Sequence, residues 1–155
     1  MYLCLRKAPW LWRASLLALA IIGVSACDEK LRDVTGPSPN LGVTFSSIRT
    51  EIFETTDLAG RTSCITCHSD VGHVPAANLN LRIDPHAALV NQPSRQKPGA
   101  TLVIPGDPDN SYLVHKIEGA KDIVMLRMPR NGPPYLTEGQ ILVIRRWIAN
   151  GAQKD

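Results

Sequence analysis

The sequence predicts an all-α domain in which several short helices are joined by long loops. Three observations carry that expectation. Apolar residues recur at helical spacing in four separated segments, each with its own start and stop residues. Strand-like character is confined to one β-prone run at residues 100–104. The 12 prolines and 11 glycines, scattered between the periodic segments, keep any helix from running long.

The amino-terminal residues are set aside first. Arg6, Lys7 and Arg13 precede and enter an apolar run from Ala14 to Val24, which closes on the small residues Val24-Ser25-Ala26 before Cys27. This is signal-peptide grammar, so residues 1–26 are assigned as a signal peptide. The run is about 11 residues long where a membrane-spanning helix needs about 20, so it is no permanent span. Small residues ahead of Cys27 resemble the lipobox of bacterial lipoproteins. That resemblance implies that Cys27 is the lipidation site and that the domain is lipid-anchored on the periplasmic side of a bacterial membrane. An ordinary secretory signal with an incidental cysteine is the alternative, and it too exports the domain.

Losing residues 1–26 removes three basic residues and no acidic one, which leaves 14 Lys plus Arg against 14 Asp plus Glu. The formal charge of +3 on the whole chain therefore belongs to the signal peptide. A neutral mature domain gives no case for nucleic acid as a partner.

Residues 27–44 are polar and turn-rich around Gly36-Pro37-Ser38-Pro39-Asn40 and show no period, so they are expected to form a flexible tether. About 17 residues of flexible chain would hold the domain on the order of 20–25 Å from the lipid. A first helix is expected over 47–56, with Ser46 or Ser47 as its cap and Ile48, Ile52 and Phe53 on its apolar face. Asp84-Pro85 is a start signal for a second, continuing over 86–90 until Asn91 and Pro93 end it. A third is expected over 111–118, capped by Asp109 or Asn110, buried along Leu113, Val114 and Ile117, and stopped by Gly119. In the last, Thr137 and Gln140 have capping-box spacing, Ile141, Ile144 and Ile148 form the stripe, Trp147 adds bulk and Gly151 is the stop. The domain, residues 45–153, has roughly 110 residues, too few to leave much interior unless something bulky fills its centre.

The chemistry lies in Cys64-Ile65-Thr66-Cys67-His68, the Cys-x-x-Cys-His signature of c-type haem attachment. On one tight turn the thiols of Cys64 and Cys67 can reach the two vinyl groups of a porphyrin, and the imidazole of His68 is then held against the iron. With Cys4 lost in the signal and Cys27 lipidated, no cysteine remains for a structural disulfide. Two other uses of such a pair are a redox dithiol and a zinc site. A thioredoxin-like dithiol wants a βαβ setting that is missing here. Zinc would have to recruit His73, His86 or His115.

Met128, in the Pro-rich stretch Arg127-Met128-Pro129-Arg130-Asn131-Gly132-Pro133-Pro134, is the expected sixth iron ligand; the prolines present its sulfur from a stiff segment. Simple core filling is the bland reading of a methionine, and Met125, His115, His73 and His86 are the competing ligands. Arg127 and Arg130 flank Met128 and either neutralise haem propionates, form a docking rim, or are solvated charge. Pro105 or nearby backbone is the expected contact for the non-ligating nitrogen of His68.

Residues 63–68, the segment Pro105-Gly106-Asp107-Pro108-Asp109-Asn110-Ser111-Tyr112-Leu113, Met128-Pro129 and residues 137–151 together resemble a class I, monohaem cytochrome c domain. The resemblance implies a cytochrome c-like fold wrapped around one covalent haem c, held by Cys64, Cys67, His68 and Met128. It implies that the helix before the haem motif crosses the last helix with Trp147 at the interface, and that Tyr112 and Leu113 pack on the haem edge. It also implies an electron carrier, not an enzyme, with redox proteins as donors and acceptors. The 71–101 stretch is longer than in the smallest members, and Arg130 stands where a second proline is common. A small-molecule haem enzyme or sensor with an open or labile sixth position, and a fixed haem subunit of a larger redox complex, are the alternative functions.

Overall fold

Thr44 starts the first helix. Its side-chain oxygen accepts from Ser47 N at 3.3 Å, and helix α1, Phe45–Ile48, runs on without a break into a π-helical turn, Arg49–Phe53. The computed structural model describes residues 41–57 and 59–155; the signal peptide, Cys27 and the tether as far as residue 40 lie outside the described residues. The helix begins two residues before the expected start and ends at Phe53. Ser46, an expected cap, instead donates its backbone N–H to the Asp155 carboxylate at 3.0 Å.

Two single 3-10 turns follow, Cys64–Thr66 and Ala76–Asn78. Helix α2, Pro85–Leu89, starts as expected: Asp84 accepts from Ala87 N and proline occupies the first turn, where its missing N–H costs nothing. Helix α3, Tyr112–Glu118, has Ser111 at its N-cap position without a side-chain capping bond and is stopped by Gly119 in the left-handed region at φ 75°. The expected caps Asp109 and Asn110 are displaced because the first helical amides find backbone partners. Tyr112 N donates to Thr101 O and Leu113 N to Leu102 O, both at 2.9 Å. Helix α4, Glu138–Ala149, carries the full capping box between Thr137 and Gln140.

The β-prone run forms no named strand. Val103 bridges Val90, Thr101 bridges Pro93 and Ile104 bridges Asp107, so among the described residues extended pairing is limited to isolated bridges inside an all-α fold.

Helix α4 packs against both α1 and α3. Phe45 lies against Trp147 with ring centroids 5.3 Å apart and against Phe53 at 6.5 Å, while Ile48, Ile52, Ile144 and Ile148 fill the space between them. The residues that follow α4 fold back on this corner. His86 Nε2 is 2.8 Å from Ala152 O, Trp147 Nε1 donates to Gln153 O at 2.8 Å, and Lys154 pairs with Asp84. Among the described residues no helix is long and apolar enough to cross a membrane.

Candidate haem-binding cavity

The Cys-x-x-Cys-His segment sits on the first 3-10 turn. His68 N donates to Cys64 O at 2.9 Å and Cys67 N to the same oxygen at 3.3 Å, which folds both thiols and the imidazole onto one tight bend. Arg61 straps the approach to this bend to the π-helical turn and the loop after it. Its fully buried guanidinium pairs with Asp57 at 3.0 Å and donates to the carbonyls of Ile52, Thr55 and Thr62 at 3.2–3.3 Å.

His68 Nδ1 lies 3.0 Å from Ala76 O. With its proton on Nδ1, the ring offers the lone pair of Nε2 to a metal. The contact expected from Pro105 does not form: Pro105 lies in the bridged Ile104–Asp107 turn, next to Gly106, whose N–H donates to Ile148 O. The acceptor comes instead from the segment that follows the motif, where Ala76 N also donates to Cys67 O at 2.9 Å. Burial holds the His68 pKa below its ordinary value, which favours the neutral, ligating imidazole. Burial also pushes the Cys64 thiol up to about 11. A thiol so raised is a poor nucleophile at neutral pH, unlike the activated cysteine of a dithiol oxidoreductase.

Opposite, the segment leading to Met128 is tied to α3: Met128 N donates to Lys116 O at 2.8 Å, and the half-buried side chain packs on the core. Asn131 Nδ2 donates to Thr62 Oγ1 at 2.7 Å, closing the Met128 loop onto the cysteine turn. Cys64, Cys67, His68 and Met128 thereby line one cavity of about 740 Å³. Phe53, Leu89, Leu113, Ile117, Leu136 and Ile144 give it apolar walls, and Tyr112 also lines it.

The competing residues are elsewhere. Met125 is 70% exposed and does not line the cavity. His115 is bound between Asp122 and the carbonyl of Asp109, and His86 packs edge-on to Phe45 and Trp147. His73 reaches the Cys67 carbonyl from outside. Among the described residues no three His, Cys, Asp or Glu side chains form a group that could hold a bare metal ion, so the zinc alternative lacks its ligand set. Of the two arginines flanking Met128, only Arg130 lines the cavity. Arg127 Nε donates to Ile117 O at 2.8 Å, and its guanidinium lies 4.3 Å from the centroid of the Tyr135 ring.

These features fit a haem. The volume falls within the roughly 300–1,000 Å³ of small-molecule and cofactor sites. The donor set, two thiols, one imidazole and one thioether, is that of c-type attachment with axial ligation. Arg95 and Arg130 line the cavity and no Asp or Glu does, which suits an apolar group that carries carboxylates; Arg61 and Lys116 also line it, but their charged ends are engaged by Asp57 and backbone carbonyls. Sequence reasoning passed over Arg61, Arg95 and Lys116. The partners of Arg61 and Lys116 are mostly backbone carbonyls, which leave no trace in a sequence.

No curated protein and no solved structure matches the chain. Residues 64–132 match the family described as Planctomycete cytochrome C, a segment that opens on Cys64 and runs past Met128. The segment that supplies most of the cavity lining is thus similar to that family, and the similarity supports a cytochrome c-type domain, with haem c as its cofactor and haem-based electron transfer as its activity.

Proposed function

We propose that the chain is a single-electron carrier in which one covalent haem c is held by Cys64 and Cys67 and ligated by His68 and Met128. We further propose that the domain is exported and tethered by lipid on Cys27 to the periplasmic side of a bacterial membrane, where it meets redox protein donors and acceptors. The observation that carries the first reading is the convergence of all four side chains, from two segments 60 residues apart in sequence, on one apolar cavity.

A bound haem supplies an iron centre that takes up one electron and gives it back. The chain supplies the rest. His68 offers a neutral nitrogen oriented by Ala76, and the Met128 thioether, a soft ligand, favours the reduced metal. The apolar walls exclude water, so the charge on the centre is felt strongly and the potential is set by the protein.

Oxidised and reduced absorption spectra of the domain, expressed in an exporting host with haem-attachment machinery, test the proposal. The expected result is a c-type reduced spectrum together with a weak near-infrared sulfur-to-iron band in the oxidised form. Met128→Ala should leave haem attached, abolish that band and lower the potential. Attached haem with no such band in the parent would favour the open-site enzyme or sensor. No covalent haem at all would overturn the central claim.

A further inference from the structure

Lys116 lies among the buried residues of α3, beside Ile117 and two positions from Val114, and is only 6% exposed. A lysine ammonium is taken out of water only when something replaces its hydration. Here the replacements are two carbonyls of one segment: Nζ donates to Val124 O at 2.9 Å and to Leu126 O at 2.7 Å. The backbone of the same residue takes the next alternate position, since Lys116 O accepts from Met128 N at 2.8 Å. One residue therefore grips positions 124, 126 and 128 in succession.

The gripped segment has little else to hold it. Val124, Met125 and Leu126 are 39%, 70% and 58% exposed, so hydrophobic burial contributes little to its placement. Two of its other ties run to the same helix: Val124 N donates to Tyr112 Oη at 2.9 Å, one turn before Lys116, and Arg127 Nε donates to Ile117 O; Gln96 Nε2 adds a weaker contact to the Met125 sulfur at 3.6 Å. Helix α3 acts as a rail to which the approach to Met128 is hydrogen-bonded. Lys116 makes two of the three charge-assisted bonds in that set and Arg127 the third, each roughly twice as strong as a neutral one.

We propose that Lys116 is a positioning residue for the sixth ligand, holding the 124–128 segment so that the Met128 sulfur stays over the cavity. This rests on the reading that Met128 ligates the haem iron. On that reading an exogenous ligand binds only when the segment has swung away, so its affinity counts the open population.

The test is imidazole binding to the oxidised holoprotein, followed by the haem spectrum, in the parent and in Lys116→Met, which keeps the apolar stem and removes the donors. The expected result is imidazole binding tighter by roughly ten- to a hundredfold in the variant, the consequence of two lost charge-assisted bonds on the opening equilibrium. Lys116→Arg, which restores a cation with several donors, should recover most of the parent behaviour. If Lys116→Met yields no holoprotein, Lys116→Gln is read in its place, with the same direction expected. A merely structural Lys116 lowers the melting temperature of the helices and leaves the imidazole affinity at the parent value; that result overturns the proposal. The parent's near-infrared band is read first. Its absence sinks Met128 ligation itself, whereas its presence with unchanged imidazole affinity in the variant sinks Lys116 alone.

Discussion

Arg61 illustrates how a single side chain can hold a site it does not ligate. Its guanidinium is inside, with Asp57 as its one anionic partner and three carbonyls around it. Arg61→Leu would leave those carbonyls and the Asp57 carboxylate short of donors, and should cost about 3–5 kcal/mol, the usual penalty for breaking a buried pair from one side. Denaturant unfolding of the holoprotein measures this; a loss below about 1 kcal/mol would place the pair in the class of solvated surface bridges. The site residues divide along the same line of legibility. Cys64, Cys67 and His68 were readable because thioether and imidazole chemistry demand that residue order. Met128 was readable from its prolines and set ahead of Met125 on that ground; the exposure of Met125, a property of packing, adds a reason that the sequence could not supply. The Ala76 acceptor for His68 was not readable, because any residue carries a carbonyl.

Helices were legible wherever a side chain makes the start signal. The capping box of α4, the Asp84-Pro85 start of α2 and the glycine stops of α3 and α4 all fall where the sequence places them. The starts of α1 and α3 moved, the latter because the 101–102 carbonyls already occupy its first amides. The expected cap residues of α3 sit in a turn of their own: Asp107 accepts from Asn110 N at 3.1 Å and Nδ2 at 2.7 Å, and those hydrogen bonds hold its carboxyl below the ordinary value. A carboxyl lowered in the folded state contributes stability that is present above its unfolded pKa of about 3.9 and is lost as pH falls through the lower folded value. The gap in unfolding midpoint between the parent and Asp107→Asn should therefore be constant from neutral pH to about pH 5 and narrow below about pH 4. Curves that stay parallel down to about pH 3 would mean that the turn does not depend on the ionised carboxylate.

For the whole molecule, the all-α class was legible from period and punctuation, while the cavity was only implied by the shortage of core for a chain of this size. Its shape depends on which loops face inward, and loops carry no period. Tethering belongs to this scale as well. Cys27→Ser should move the expressed protein from the membrane pellet to the soluble fraction; a protein that stays in the pellet is held there by a partner and not by lipid. Where such a cord would join the body follows from the corner at which Ser46 meets Asp155 and the 152–155 segment folds onto His86 and Trp147. None of Ser46, His86, Trp147 and Ala152 lines the cavity; Phe53, in the turn that continues α1, and Ile144, in α4 with Trp147, do. The start of α1 and the 152–155 segment thus meet at one corner whose contacts lie outside the cavity lining. A tether joined at residue 41 would then meet the body at residues that do not line the cavity.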